Sequence, residues 1–257
     1  MINAIKSLAS FTWRSRMHNA GVIVFLAVAL IPSAVALVAI RFGAVEPGGE
    51  LDLLREIVIP INVYFTLPFI ALFLTLPTIG ALYEKGAIAY IFTRPTPRWA
   101  CICGLFLGSV LSAMPLLLVS ALSPSLVGAL FTEANFGELF TLGLNHCLLL
   151  IIALLPYSAL CILLAIWSKK PLLWAAFLLF FWGSIIGSLP GDAKSWSMHH
   201  YVMGLAKSLC GIDKVASGLL PPSADPPANI MSVIVLLGLS CVFIYLAQLA
   251  AKKRDIY

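Results

Sequence analysis

Histidine is the residue type in this sequence best suited to metal binding or proton transfer, because imidazole coordinates metals and titrates near neutral pH. The chain has 4 histidines, and two of them are adjacent, at His199 and His200. No acidic residue or cysteine stands near this pair at the spacing of a metal site. We therefore expect the pair at an interface, His146 in a packing or interface contact, and no bound metal.

The patterns of other catalytic sites are also missing. The chain has no G-x-x-x-x-G-K-[ST] motif, so it has no Walker loop for a nucleotide. A serine protease needs a serine placed against a histidine. The serines of GSIIGS, residues 183–188, stand among glycines spaced as in helix packing. The sequence shows neither an acidic cluster for Mg²⁺ nor a disulfide framework among its 6 cysteines. We predict that the chain is not an enzyme and holds no cofactor.

The composition indicates which elements must carry the remaining polar residues. Of 257 residues, 61% are hydrophobic and only 11% are charged, which is too little charge to cover a soluble domain. Lipid-embedded backbone must bond within its own segment, and about 20 apolar residues cross a bilayer. The predicted fold is an all-α integral membrane protein with six transmembrane helices in a single domain, residues 1–257. We place the spans at 20–41, 58–82, 99–122, 140–167, 172–189 and 230–250.

Two of these spans allow more than one interpretation. Two arginines precede the first, as in a signal peptide, but the apolar run continues to Ile40, so we predict an uncleaved anchor. The third uncharged run extends beyond its predicted span, although Pro115 and Pro124 interrupt it. We predict a crossing at 99–122 followed by a short interfacial piece at 125–131. A single kinked helix is the alternative.

The distribution of basic residues indicates the orientation. Six spans place both termini on one side. If that side is the cytoplasm, eleven basic residues lie inside and five outside, which together make the 16 Lys and Arg of the sequence. Basic residues favour the cytoplasmic side. We predict a multi-pass protein of the inner (cytoplasmic) membrane with both termini in the cytoplasm. The net charge of +5 reflects this topology, and no nucleic-acid signature is present.

The largest internal cytoplasmic segment of this topology is YEKGAIAYIFTRPTPRW, residues 83–99. Its first part can form about two helical turns with Ile88, Ile91 and Phe92 on one face. Glu84 suits the positive end of such a helix, and Pro95 cannot continue it. On these grounds an ordinary loop with interfacial anchors and a docking element both remain open.

This segment resembles the first cytoplasmic loop of ABC-2-type transporter permeases. Glu84 and Gly86 match the acidic residue and the glycine that open that loop, and Pro95 and Arg98 match its close. The residue after Gly86 is alanine, where threonine is common. The N-terminal AIKSLASFTWRSRMHN, residues 4–19, resembles the interfacial amphipathic helix of these permeases. The C-terminal AAKKRDIY resembles their basic close after the last span.

The resemblance implies a permease subunit that pairs with a second copy, as a homodimer, and binds two ATPase subunits. ATP and Mg²⁺ would lie on those subunits, and export is the expected direction. The segment would form a short coupling helix in a groove of the ATPase. The residues expected to take part are Glu84, Gly86, Ile88, Ile91, Phe92, Arg94, Pro95 and Arg98. The rival classes are a membrane-embedded enzyme acting on lipid or peptide and a passive anchor for a partner protein.

Two further segments carry expectations. The second span combines three prolines, which permit bends, with Asn62, Thr66 and Thr75. We predict that these three polar residues line a translocation path, near the dimer centre as in the permeases it resembles. The alternative is that they bond their own helix or face a neighbouring span. The outer segment 190–229 has apolar residues at helical spacing, which predicts one or two short helices at the outer interface.

Overall fold

The computed structural model describes residues 2–17, 21–42, 49–84, 97–132, 135–182, 197–212 and 229–253. Every regular element in these ranges is a helix, as the sequence predicts. The helices are α1 (Ile2–Met17), α2 (Gly21–Ala29), α3 (Ile31–Arg41), α4 (residues 50–84), α5 (Arg98–Phe131), α6 (Phe136–Trp167), α7 (residues 171–182), α8 (Met198–Cys210) and α9 (Asn229–Lys253).

The long helices define a multi-pass membrane protein. Five described stretches are long and apolar enough to cross a membrane, namely Gly21–Arg41, Glu50–Thr78, Arg98–Phe131, Phe136–Trp167 and Asn229–Lys252. Large apolar side chains such as Ile23, Leu173 and Ile230 lie exposed on the outside of the bundle. An apolar surface of this kind indicates a membrane or a partner. The apolar part of α7 is shorter, and the fifth crossing predicted at 172–189 continues beyond the described residues.

Two helices extend beyond the spans predicted for them. α5 is one uninterrupted helix through Pro115 and Pro124, so 125–131 is not a separate piece and the single-helix alternative holds. Each proline removes one N–H from the ladder, whereas a break would leave several backbone groups without partners in an apolar environment. α4 begins at Glu50, well before the predicted start of its span, and its first turn carries two acidic residues that favour a helix N-terminus.

α4 is an irregular helix. Its segments Leu54–Val58 and Asn62–Thr66 are π-helical and alternate with α-helical turns. Each π segment ends two residues before a proline, the first before Pro60 and the second before Pro68. A proline ring crowds the carbonyl four residues earlier, which in both cases lies inside the π segment, so the helix widens there. The second π segment buries Asn62, Val63 and Thr66 together.

α5 and α6 form the centre of the bundle. α5 packs against α1, α3, α4 and α6, while α6 packs against α4, α7, α8 and α9 as well. Leu117 of α5 and Leu149 of α6 are fully buried, as is Ile70 of α4. By contrast, α9 exposes a row of large apolar side chains that includes Ile234 and Tyr245. The interior of the protein therefore lies among α4, α5 and α6, and the outer helices enclose it.

The N-terminal helix α1 is fixed to α5 at two glycines. A Cβ atom added to Gly104 would lie 2.9 Å from the Cβ of Leu8, and one added to Gly108 would lie 2.6 Å from the Cβ of Thr12. The second position also meets the carbonyl oxygen of Ala9 at 2.9 Å. Only glycine allows two backbones to approach so closely, which is a common way for helices to associate in membranes.

We predict that Gly108→Ala destabilises the protein, even though alanine is the better helix former. The added methyl group overpacks the contact with α1, and overpacking costs about 1–3 kcal/mol. The matched control is Gly238→Ala on α9, where an added Cβ meets nothing within 4 Å. Thermal unfolding of both variants in detergent measures the difference. Equal midpoints would show that α1 does not depend on this contact.

Candidate functional site

The helix α8 ends inside the bundle. It has 13 residues and is about 20 Å long, too short to cross a membrane. Asn145 of α6 donates a hydrogen bond from Nδ2 to the carbonyl oxygen of Leu209 at 2.8 Å, and the Tyr157 hydroxyl lies 3.1 Å from His199 Nδ1. α8 therefore runs antiparallel to α6. Because Tyr157 lies about 30 Å along α6 from Phe136, the first turn of α8 is deep in the protein.

The sequence predicts a short helix in this outer segment, but at the outer interface. The observed helix instead reaches from that end of the bundle into its interior. Five consecutive residues of its central turns, Val202 to Ala206, are buried. The reason for the difference is that α8 presents apolar residues on most of its surface, so α6 and α9 enclose it.

Both ends of α8 are capped by the residues that flank it in the sequence, Ser197 and Gly211. The first N–H groups of a helix have no partners within the helix. Here the buried Ser197 accepts a hydrogen bond through Oγ from the His199 N–H at 3.2 Å. At the other end Gly211 adopts a left-handed conformation, with φ 68°, and its N–H bonds to Lys207, which is a usual helix stop. These caps permit a helix terminus where water is scarce.

Three helices meet at the first turn of α8, in a group that we call the histidine cluster: Tyr64, Tyr157 and His199. The imidazole is stacked on the ring of Tyr64, with ring centroids 4.8 Å apart, and contacts the hydroxyl of Tyr157. Tyr157 and His199 are buried. A neutral imidazole has one donor and one acceptor nitrogen, so it forms the hydrogen bond in either tautomer. The cluster joins α6 to α8 by a polar contact and α4 to α8 by ring stacking.

A second polar contact joins α4 to α5. Asn62 donates from Nδ2 to the carbonyl oxygen of Ser120 at 3.2 Å, and the Ser120 hydroxyl donates to Asn62 Oδ1 at 2.5 Å. Thr66 and Thr75 are also fully buried, and their hydroxyls have no hydrogen-bond partner among the described residues. All three predicted path residues thus lie in the interior of one chain. Their role in translocation stays a prediction.

The two ends of the predicted coupling segment are described. Glu84 is the last residue of α4, and Arg98 is the first of α5. Arg98 donates from Nη1 to the carbonyl oxygen of Ala251 at 3.3 Å, in the last turn of α9, where a helix carries partial negative charge. This bond ties the end of the segment to α9. The other predicted members, which lie outside the described residues, are Gly86, Ile88, Ile91, Phe92, Arg94 and Pro95.

Sequence reasoning did not find the histidine cluster. It treated His199 and His200 as an interfacial pair and gave Tyr157 no role. Two signals were present. Tyr157 is a hydroxyl-bearing residue within a long uncharged run, and Ser197 stands where a helix N-cap is expected. Across the described part of the chain, no group of three His, Cys, Asp or Glu is arranged to hold a metal ion.

The fold and the buried cluster define an all-helical, multi-pass membrane protein with a helix that ends inside the bundle. The chain belongs to the DUF2705 family, described as proteins of unknown function, whose model matches residues 19–257. The matched region includes every element of the cluster and excludes α1. No curated protein matches the chain.

We predict that Tyr157→Phe lowers the free energy of unfolding by about 1 kcal/mol, because hydrogen bonds between membrane helices average roughly 0.6 and reach about 1.7 kcal/mol. The control is Tyr245→Phe, whose side chain is exposed on α9. In a His199→Phe background, Tyr157→Phe should cost less than it does alone, because the shared bond is already lost. If Tyr157→Phe behaves like the control, this bond does not hold α8 in place.

Proposed function

We propose that the protein is the permease subunit of an ATP-driven ABC transporter, with ATP hydrolysed on separate ATPase subunits. The observation that carries this proposal is the terminus of α8 beside buried polar side chains. A passive anchor needs only continuous apolar helices, whereas transporters use helices interrupted at membrane depth to form their solute sites. The unpartnered hydroxyls of Thr66 and Thr75 add polar groups that a solute or water could bond.

The connection between the coupling segment and this interior also supports the proposal. α4 holds Asn62 and Tyr64 and ends at Glu84, while α5 begins at Arg98 and holds Ser120. A displacement of the segment therefore acts directly on the two helices that share the Asn62–Ser120 contact. The π segments of α4 provide places where that helix can bend.

The proposed topology has six crossings, with α7 beginning the fifth and both termini in the cytoplasm. Two contacts bring the same ends of α5, α6 and α9 together. Arg98 bonds to Ala251, and Trp167 lines an apolar groove with Leu249 and Ala250. The basic residues next to these positions, including Lys169 and Lys252, thus gather at one end, as the preference for the cytoplasmic side requires.

Labelling of single cysteines tests this topology in a variant without the native cysteines. A cysteine at position 94 should react with an impermeant reagent only from the cytoplasmic side, and one at position 207 only from the outside, because Lys207 is exposed on α8. Reaction of position 94 from the outside alone would show that the orientation is the reverse of the proposed one. The coupling segment would then lie where a cytoplasmic ATPase does not reach it.

We predict that Phe92→Ala weakens association with the ATPase about tenfold or more. Burial of one large apolar side chain contributes roughly 1.5–3 kcal/mol, and 1.4 kcal/mol is a factor of ten. The control is Phe140→Ala, an exposed phenylalanine at the opposite end of the molecule. Co-purification and transport-coupled ATP hydrolysis are measured after expression and membrane insertion have been checked.

If Phe92→Ala and Arg94→Glu both show wild-type association and ATP hydrolysis, the segment is an ordinary loop. The transporter proposal then loses its main support. Activity of the isolated chain on lipid or peptide would instead favour a membrane-embedded enzyme.

A further inference from the structure

An open cleft lies at the end of the bundle where α6 begins, away from the coupling segment. Its volume is about 630 Å³, within the usual range for small-molecule sites. The first turns of α4 and α6 and the last turn of α8 form its walls. Its charged, polar and apolar lining includes Arg55, Glu138, Thr141, Asn145, Leu51 and Leu142. We call this feature the end cleft.

The guanidinium of Arg55, in the end cleft, has an N–H group that no described residue bonds. Its guanidinium lies against the backbone of Gly211, where an added Cβ would be 3.7 Å from the guanidinium carbon. Its Nε is buried and has no hydrogen-bond partner among the described residues. The carboxylate of Asp52 is 4.0 Å away, beyond hydrogen-bonding distance. Since a guanidinium carries five N–H donors, Arg55 can bind an anion in the cleft.

Glu138 supplies the opposite charge. Its carboxylate receives only a long contact, 3.5 Å from Asn135 Nδ2, and it is exposed. Although Arg55 and Glu138 line the same cleft, these two described residues form no ion pair with each other. The cleft thus holds a cation whose ion-pair contact is the 4.0 Å approach to Asp52, and an anion that no described cation pairs with.

The geometry points to the end cleft as a binding site for a phosphoethanolamine-type zwitterion. The phosphate would bond to the planar guanidinium of Arg55, which suits phosphate oxygens, and the ammonium would pair with Glu138. Asn145 uses its Nδ2 to bond Leu209, so its amide oxygen is left to accept from the ammonium. Leu51 and Leu142 provide an apolar side for the carbon atoms of the ligand.

The position of the cleft favours a membrane lipid as the source of this head group. It lies at the ends of the membrane-spanning helices, and Phe136 and Phe140 stack beside it with ring centroids 5.7 Å apart. Both rings are exposed. Exposed apolar rings at this position indicate contact with a membrane or a partner. The inference does not depend on the proposed transport function, since it concerns binding by this chain alone.

Binding of phosphatidylethanolamine with a fluorescent acyl chain to the full-length chain in detergent tests the proposal. We expect unlabelled phosphatidylethanolamine to compete at least tenfold better than phosphatidylglycerol, which has no ammonium group. Arg55→Gln should weaken binding at least tenfold, and Glu138→Gln should abolish the preference between the two lipids. Arg41→Gln, at an exposed arginine that ends α3, is the control and should bind like the wild type.

Variants are compared only after size-exclusion chromatography shows that they are folded. Because Glu138 is exposed, its variant provides a test even if Arg55→Gln does not fold. Competition by free phosphoethanolamine as strong as that of the lipid would support the same site with a soluble ligand. Equal competition by the two lipids, or wild-type binding by both Arg55→Gln and Glu138→Gln, would overturn the proposal.

Discussion

A helix terminus inside a membrane protein must find partners for its backbone N–H groups, because lipid and apolar side chains offer none. The first turn of α8 meets this constraint with the Ser197 cap, and the surrounding structure is arranged about it. Tyr157 of α6 contacts the side chain of His199 in this turn, and Tyr64 of α4 stacks on the same ring. A buried donor left unpaired costs about 1–3 kcal/mol, so the position of α8 depends on these contacts.

The inner helices are held together by contacts other than simple apolar burial. Apolar side chains do not favour another helix over lipid, so membrane helices associate by close packing and polar bonds. Gly104 and Gly108 allow α1 to approach α5 closely. Asn62 bonds to Ser120, and Ser33 bonds to Ser123 at 2.5 Å. Such contacts are short and directional, so they also specify the register of each helix against α5.

α4 connects the regions that the proposals concern. Its first turns line the end cleft, its second π segment contributes to the polar interior, and its last residue, Glu84, opens the predicted coupling segment. A change at either end of α4 therefore reaches the interior through one helix. The DUF2705 match, residues 19–257, contains all three regions. The contact of α1 with α5 involves a helix that lies outside that match.

The sequence by itself determined the helical, membrane-embedded character and most of the long apolar helices, because the cost of placing a segment in lipid is a sum over its own residues. It did not determine that α5 continues through Pro115 and Pro124, since that depends on whether the freed backbone groups have other partners. It also could not pair His199 with Tyr157, 42 residues away, or place Arg55 and Glu138 in one cleft. Only the tertiary structure determines which distant residues come into contact, because these contacts follow from how the helices pack and not from any property local to the residues.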